Sequence, residues 1–365
     1  MTKKIVYLMG AGATQGAAKF HGFEKSLLMD DDLLTEISEI LYNKQEKDLS
    51  WVINQLLTGA NLERLVSLYE YSGTSKHMKI AKALRNAFKS SLEKRIAEIE
   101  QQFIPELFVA LLDMHRVKGI DEELVAIFTT NYEDLLERSI SKIHGSVNYL
   151  IQIKSVGKTP TSTASPPFPI LKMHGSFNWR NDYPISLITQ QGESEDSLWI
   201  PPGVVKRKEA YPFNILWGKA KELLECNILR VIGSSLSLND WDLIALIATA
   251  QGMDDGSNET LKIEFINSIE AKDEIDKSHH YLDIVGMDEI PEIKDYVKKT
   301  YYPLDEPIDD DKLQEAVKGV LSKGNIFELW LRAKGEKMFN DGLPLDTDSS
   351  DFKDFIITGM KGGAN

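Results

Sequence analysis

Cysteine and long apolar runs are both scarce in this 365-residue sequence. Cys226 is its only cysteine, and a single thiol can form neither an internal disulfide nor a zinc site with four thiolate ligands. No stretch approaches the roughly 20 consecutive apolar residues of a membrane-spanning helix. The apolar run Ile5–Met9 is too short for the core of a secretory signal. These absences predict a cytoplasmic protein with no membrane contact, in which Cys226 is a core thiol.

Positive charge is also in short supply. The sequence has 42 lysine and arginine residues against 56 aspartate and glutamate residues, which gives a formal net charge of −14. Because nucleic-acid binding needs a basic surface, this balance predicts that the protein does not bind nucleic acid directly. The simplest interpretation of the negative charge is solubility.

Short apolar segments and helical segments alternate along the chain. Strands are predicted at Ile5–Met9, Leu124–Thr129, Ile170–Met173, Ile228–Ile232 and Leu261–Ile266. Helices are predicted at Asp134–Ile140, around Leu216–Leu224 and at Leu243–Ala250. Such alternation is typical of a parallel sheet that is covered by helices, so we predict an α/β fold.

A large helical insertion is predicted at about residues 30–120. One stretch places seven apolar residues on a single stripe at helical spacing: Ile80, Leu84, Phe88, Leu92, Ile96, Ile99 and Phe103. We interpret this stripe as core packing rather than as part of a ligand site. Pro105 is predicted to begin a further helix and Gly119 to end it.

Two further segments give weaker signals. Lys154–Pro169 is rich in Pro, Ser and Thr, which is typical of a surface loop, either a disordered one or a lid over a site. Beyond about residue 285 the sequence is acidic and irregular. We therefore predict one domain at 1–285 and a C-terminal extension at 286–365. The extension is either a contact surface for oligomers or partners or a simple structural addition.

Each predicted strand ends in small or polar residues. The segments are Gly10-Ala11-Gly12-Ala13-Thr14, Thr129-Thr130-Asn131, His174-Gly175-Ser176, Gly233-Ser234-Ser235 and Asn267-Ser268. In an open parallel sheet, ligands bind at the carboxyl ends of the strands, so these segments are predicted to line one crevice. Any one of them alone is also explained by a turn, because turns use the same residue types.

The first of these segments has the form of a phosphate cradle. Gly10 and Gly12 would let the backbone approach an anion, and the following helix would offer free N–H groups. The next glycine is Gly16, so the spacing differs from the GxGxxG of nicotinamide dehydrogenases. The segment therefore favours a bound nucleotide without favouring hydride transfer.

Four polar residues have competing interpretations. His174 follows an apolar strand, where a histidine can handle a proton or contact a ligand, although a lone histidine is more often structural. His144 begins the same tripeptide, His-Gly-Ser, but follows a helix, so we interpret it as a surface residue. Asn131 could act in the crevice or cap the next helix. Asp240 precedes a predicted helix and is assigned to helix capping.

Taken together, the motifs resemble the sirtuin (SIR2) family. The similar segments are GAGAT at 10–14, TTNYEDLLE at 129–137, KMHGSFNW at 172–179, VIGSSLSLND at 231–240 and FINS at 265–268. They look closest to the SIR2-like branch of bacterial antiphage defence systems, as does the segment NLERLVSL at 61–68. The resemblance implies a Rossmann-like parallel sheet of the sirtuin type with a large helical insertion and a C-terminal extension.

The resemblance also implies an activity: hydrolysis of NAD+ to nicotinamide and ADP-ribose by the NAD-depleting effector of an antiphage system. Asn131 would position the attacking water, and His174 would handle a proton or orient the ribose hydroxyls. Gly10, Gly12 and Thr14 would hold the phosphates. The other residues of the implied NAD site are Ala11, Ala13, Thr130, Glu133, Gly233, Ser234, Ser235 and Asn267.

Two departures from the sirtuin pattern matter. Sirtuin deacylases usually carry a zinc module with two cysteine pairs, which this chain cannot build, so no metal is expected. Glu133 stands where sirtuins usually have an aspartate, which leaves its contact with nicotinamide open. Two alternatives therefore stay open: a module that senses NAD, ADP-ribose or a similar nucleotide without cleaving it, and a NAD-dependent protein deacylase.

Control of the activity is expected by analogy with the defence branch. The implied partners are further copies of the chain or a regulatory protein from the same operon, such as a helicase-like ATPase or a nucleotide-processing protein.

Overall fold

The computed structural model describes residues 2–23, 30–44, 47–100, 105–154, 167–180, 182, 185–187, 197–201, 203, 208–252, 261–301, 309–345 and 352–356. Most of the predicted loop at 154–169 lies outside these residues, as do Phe103 at the end of the apolar stripe and parts of the extension at 286–365.

The described residues form ten strands and two sheets. The strands are β1 (Lys3–Met9), β2 (Glu122–Thr129), β3 (Ile153–Lys154), β4 (Ile170–Lys172), β5 (Gly175–Arg180), β6 (Ile185–Leu187), β7 (Ser197–Trp199), β8 (Ile228–Ile232), β9 (Lys262–Ile266) and β10 (Ile284–Gly286). Six of them form the central sheet in the order β10-β9-β8-β1-β2-β4, with all neighbours parallel. Numbered along the chain, this is the 3-2-1-4-5-6 order of Rossmann folds, which confirms the predicted parallel sheet.

Both faces of the central sheet are covered. Along β1, Tyr7 and Met9 belong to the hydrophobic core on one face, while Val6 and Leu8 belong to the core on the other. All four are fully buried. Because alternate residues of a strand point to opposite faces, a strand buried on both sides must be a continuous apolar run. This requirement explains why the strands stood out in the sequence.

Helices surround the sheets, and residues 352–356 are helical in addition to thirteen longer α-helices among the described residues. They are α1 (Ala11–Phe20), α2 (Asp31–Asn43), α3 (Ser50–Leu57), α4 (Leu62–Tyr71), α5 (Ser75–Glu100), α6 (Glu106–Met114), α7 (Leu135–His144), α8 (Phe213–Leu223), α9 (Trp241–Gly252), α10 (Ile269–Ser278), α11 (Pro291–Tyr301), α12 (Asp310–Leu321) and α13 (Ile326–Asn340). None of the described helices is long and apolar enough to cross a membrane.

Helices α2–α6 form the predicted helical insertion between α1 and β2. The side chain of Asp30 caps α2 by accepting a hydrogen bond from the Leu33 N–H at 2.9 Å. Pro105 precedes α6 as predicted, but α6 already ends at Met114. The prediction that Gly119 ends this helix is therefore wrong. Gly119 has φ 88° and lies in the turn that leads into β2, where a left-handed backbone favours glycine.

The small second sheet has the order β3-β6-β5-β7 and was not predicted. Three of its strands are only two or three residues long, which is too short for a pattern of alternation to show. The sheet is joined to the main one at His174, whose carbonyl oxygen accepts a hydrogen bond from the Ile200 N–H at 2.8 Å.

The C-terminal helices pack on the main sheet through a buried charge network. Arg230 of β8 donates to both carboxylate oxygens of Glu122 at 2.6 and 2.7 Å and to Glu264 at 2.7 Å. Lys334 of α13 donates to Glu122 at 2.6 Å, and the Trp330 ring lies 5.5 Å from the Arg230 guanidinium. Burial opposes ionisation of Glu122, but Arg230 and Lys334 hold its pKa far below the usual value.

The proposed boundary between a domain at 1–285 and an extension at 286–365 falls inside β10. Phe327, Trp330 and Leu331 of α13 are buried in the same core as β1. The division into two domains stays a prediction, and the described part of the extension helps to cover the sheet.

Candidate functional site

A cavity of about 500 Å³ opens where the strand order of the central sheet reverses, between the carboxyl ends of β1 and β8. Rossmann folds bind ligands at this switch point. The structure brings together twelve of the thirteen predicted site residues around the cavity: Gly10, Ala11, Gly12, Thr14, Thr130, Asn131, Glu133, His174, Gly233, Ser234, Ser235 and Asn267. Ala13 does not line the cavity and is fully buried.

The glycines of the β1 turn touch the turn that follows β8. A Cβ on Gly10 would lie 2.6 Å from the Gly233 carbonyl oxygen, and a Cβ on Gly12 would lie 2.7 Å from the same atom. The Gly12 N–H donates to this oxygen at 2.8 Å. Gly233 itself has φ 60°. These glycines are therefore required by the contact between the two turns. This contact was not predicted from the sequence, in which Gly10 and Gly12 were explained only by the approach of a ligand.

Three polar side chains form a connected cluster at the ends of β1 and β2. The Asn131 amide donates to the Thr14 hydroxyl at 3.0 Å and to the Gly10 carbonyl at 3.0 Å. The Thr14 hydroxyl in turn donates to Glu133 Oε1 at 2.6 Å. Glu133 Oε2 accepts from the Leu135 N–H at the start of α7, at 2.9 Å. Asn131 is thus held by the β1 turn, and the residue before α7 is Asp134, so Asn131 is not the cap of that helix.

A buried lysine that does not line the cavity holds the backbone of this cluster in place. Lys172 of β4 is fully buried and donates to the Glu133 carbonyl oxygen and to Glu137 Oε1, the latter at 2.7 Å. Burial raises the pKa of Glu137 to about 7, although Lys172 opposes the rise. The lysine therefore fixes the backbone that carries Glu133, one layer away from the cavity.

His174 lies between an aromatic ring and a carboxylate. Its Nε2 atom is 3.5 Å from Asp240 Oδ1, and its ring is stacked on Tyr132 with centroids 6.3 Å apart. The His174 side chain is only 4% exposed. Asp240 does lie directly before α9, but its carboxylate faces His174 and lines the cavity. Its assignment to helix capping missed this contact because the pairing joins residues 66 positions apart in the chain.

Two other singled-out residues lie elsewhere. His144, at the end of α7, is half-buried against the ring of Phe168, with centroids 5.4 Å apart, and is not among the cavity residues. His144 therefore lies outside the cavity, as predicted, but it is half-buried rather than fully on the surface. Cys226 is half-buried, and burial raises the pKa of its thiol to about 12, so the thiol stays protonated near neutral pH.

The helical insertion forms one wall of the cavity, which sequence reasoning missed. Its lining residues are Leu33, Asn61, Glu63, Phe88, Leu92 and Ile96. Three of them, Phe88, Leu92 and Ile96, belong to the apolar stripe on α5, so this stripe is both core and cavity wall. Helical spacing predicts which residues share a face but not what that face packs against, so no local signal could have shown this.

The described residues contain no group of three or more His, Cys, Asp and Glu side chains that could hold a metal ion. The absence of a metal from the site stays a prediction. The cavity offers carboxylates, amides, hydroxyls, one imidazole and the backbone of two glycine turns. Such a set can bind a polar organic ligand and place a water beside it.

Comparison with known proteins gives one family match. Residues 125–281, from β2 to just beyond α10, match the SIR2-like domain. No curated protein matches the chain by sequence. Similar solved structures include a Sir2 enzyme studied for its mechanism and regulation, at 14% identity over 90% of this chain and 94% of that chain, with a TM-score of 0.34.

Two further structures give comparable values. A Sir2 homologue in complex with NAD is 14% identical over 88% of this chain and 89% of that chain, with a TM-score of 0.34. Sir2Tm bound to a propionylated peptide is 13% identical over 89% of this chain and 94% of that chain, with a TM-score of 0.34. Residues 125–281, which include Asn131, His174 and Asn267, are therefore similar to the SIR2-like domain.

Proposed function

We propose that the protein binds NAD+ in the switch-point cavity and hydrolyses its nicotinamide–ribose bond, which gives nicotinamide and ADP-ribose. The observation that carries the proposal is that Asn131, His174 and the β1 glycine turn meet around one cavity. The SIR2-like match supports the choice of NAD+ as the ligand. The cavity volume of about 500 Å³ suits a small-molecule ligand, for which roughly 300–1,000 Å³ is usual.

The anionic part of NAD+ fits the glycine-rich end of the cavity. Helix α1 begins at Ala11, directly after the β1 turn, so its N-terminus and the partial positive charge of its dipole lie beside Gly10 and Gly12. Ser234 and Ser235 add hydroxyl donors. The Thr14 hydroxyl donates its hydrogen bond to Glu133. We therefore assign Thr14 to the support of Asn131 rather than to phosphate binding.

Cleavage needs a placed water rather than an acid for the leaving group. The ring nitrogen of NAD+ is already cationic, so nicotinamide leaves as a neutral molecule while positive charge develops on the ribose. Both N–H hydrogens of the Asn131 amide have protein acceptors, so its Oδ1 atom is the group that can accept a hydrogen bond from water. His174, beside Asp240, is placed to accept the proton that the attacking water releases.

Nicotinamide release from NAD+ by the purified chain tests the proposal. We expect release by the wild type and a loss of about 100-fold or more in Asn131→Ala, because the water is no longer positioned. Asn43→Ala is the matched control, since Asn43 is an exposed residue at the end of α2. It should keep wild-type activity.

Two other outcomes would replace the proposal. Binding of NAD+ without any release of nicotinamide would select a nucleotide-binding module. Release that depends on an added acetylated peptide would select a protein deacylase.

We also propose that this activity serves antiphage defence and is controlled by further copies of the chain or by an operon partner. The motif resemblance supports this part of the proposal. Challenge of producing cells with phage checks it: protection by the wild type and none by Asn131→Ala is expected. Equal survival of both cultures would reject a defence role for the activity.

A further inference from the structure

The turn at 233–237, which follows β8, contains a leucine in an unusual backbone conformation. Leu236 has φ 45°, in the left-handed region that favours glycine. Its side chain is nevertheless buried in the core on one face of the sheet. A left-handed backbone is unfavourable for leucine, because its Cβ crowds the main chain. Such a conformation persists only where contacts with the surrounding structure hold it.

A buried histidine supplies one of these contacts. His279 lies directly after α10 and is 1% exposed, and its Nε2 atom is 3.2 Å from the Leu236 carbonyl oxygen. A carbonyl oxygen can only accept a hydrogen bond, so Nε2 is the nitrogen that carries the hydrogen in this contact. The Nδ1 atom faces the Tyr281 hydroxyl at 3.0 Å. Both ring nitrogens therefore have a partner, and the imidazole is fixed with its donor towards Leu236.

The conformation of Leu236 determines where the serines of this turn lie. Ser234 and Ser235 precede Leu236 and Ser237 follows it, and all three line the cavity. The Leu236 N–H donates to Ser234 Oγ at 3.3 Å. Because this oxygen accepts, the hydroxyl hydrogen of Ser234 is left for donation to a ligand. The Asn267 side chain donates to the Ser234 carbonyl at 3.1 Å and holds the turn from the side of β9.

We propose that His279 is a positioning residue for ligand binding: by donating to the Leu236 carbonyl, it maintains the left-handed turn that presents the serine hydroxyls to the pyrophosphate of NAD+. The inference rests on the proposed binding of NAD+ in this cavity. His279 does not line the cavity itself, so it acts through Leu236 and not on the ligand. Without the donor, Leu236 relaxes towards negative φ and the hydroxyls move away from the phosphates.

Calorimetry with ADP-ribose tests this role, because ADP-ribose carries the pyrophosphate but lacks the bond that is cleaved. His279→Leu removes the donor and keeps a side chain of similar size. It should weaken ADP-ribose binding on the order of tenfold. His279→Gln should stay within about threefold of the wild type, because a glutamine amide can donate from near the position of Nε2. His280→Leu is the matched control, since His280 is the exposed neighbour and does not line the cavity. It should leave the affinity unchanged.

Steady-state kinetics with NAD+ give a second measurement. His279→Leu should raise KM by a factor similar to its effect on ADP-ribose affinity, and should change kcat less than about threefold. The reason is that Asn131 and His174 lie on other strand ends and keep their places. If His279→Leu does not fold, His279→Asn replaces it, because the shorter amide cannot reach the Leu236 carbonyl and should lose affinity to a similar extent.

Three results would overturn the inference: equal losses in His279→Leu and His279→Gln, which would show a merely structural role, an unchanged affinity in His279→Leu, or a loss confined to kcat. In each case binding by the wild type would leave the proposed function standing. If the wild type bound neither ADP-ribose nor NAD+, the proposed function itself would fail, and this inference with it.

Discussion

The tripeptide His-Gly-Ser occurs twice in this chain, at 144–146 and at 174–176, in two different environments. The backbones agree: Gly145 has φ 76° and Gly175 has φ 72°. The first copy ends helix α7, where Gly145 is an exposed left-handed cap. The second copy joins the main sheet to the small sheet, and its histidine is buried at the cavity.

The difference lies in what surrounds each copy. His144 packs against Phe168, whereas His174 has Asp240 at 3.5 Å and the Tyr132 ring stacked on it. Neither partner of His174 is near it in the chain, so the tripeptide carries no chemistry of its own. His174 lies at the end of a strand in a parallel sheet, where residues from several other strands meet at the same edge.

Exchange of the two histidines for alanine should give the largest contrast. His174→Ala is expected to lower nicotinamide release by about 100-fold or more, because the proposed proton acceptor is lost. His144→Ala should stay within about twofold of the wild type. Initial rates at saturating NAD+ would measure both. Equal losses in the two variants would show that folding, and not the position of His174, governs activity.

The two glycines should differ in their effect on stability. A Cβ on Gly175 would lie 2.4 Å from the Leu198 carbonyl oxygen, so Gly175→Ala combines left-handed strain with a collision against backbone. We expect a loss of about 3 kcal/mol or more in the free energy of unfolding. Gly145→Ala should cost only about 1 kcal/mol for its left-handed backbone. Urea denaturation would measure both, and similar midpoints for the two variants would contradict the contrast.

The smallest effect should be a pH dependence that comes from His144. Burial lowers the pKa of His144 below the ordinary histidine value of 6.5, and the charge of Arg116 adds to the decrease. The unfolded chain therefore binds the proton more readily than the folded protein does, so stability is complete above pH 6.5 and declines as the pH falls through the folded pKa. Thermal melting of His144→Gln should be less sensitive to acid below this pH than melting of the wild type.

A comparison of the two proteins at each pH is needed, because Glu137 contributes in the opposite direction. Its pKa is raised from 4.5 to about 7, so its contribution to stability decreases as the pH rises through that range. The difference between the His144→Gln variant and the wild type removes this shared contribution. A constant difference in melting temperature between pH 5 and 8 would contradict the expected role of His144.

Much of the main sheet could be predicted, because each of its strands is marked by the apolar pattern of its own residues. Strand β8 was predicted with its observed bounds, Ile228–Ile232, since a strand buried on both faces is a short apolar run with polar ends. The strand ends also pointed to twelve residues that line the cavity. Their roles in binding and catalysis stay predictions, but their meeting at one place follows from the parallel order of the strands.

The remaining parts of the site depend on contacts that no local pattern encodes. Glu63 reaches the cavity because Asn239 holds it, and 176 positions separate the two residues in the chain. Phe88 was assigned to the core from its helical spacing, which is correct, yet the same side chain also borders the cavity. Lys172 was not singled out either, because nothing in its neighbouring sequence shows that its ammonium group donates a hydrogen bond to Glu137.

The charge network of the sheet has a consequence for the order in which the protein can fold during synthesis. Glu122 and Arg230 are both buried, and Glu122 receives its second cation from Lys334, which the ribosome adds 212 residues after Glu122. Until α13 is in place, the Glu122 carboxylate lacks one of its two cations and the Arg230 guanidinium lacks the Trp330 ring beside it. We therefore expect the burial of these charges, which lie in β2, β8 and β9, to be completed only after α13 has folded.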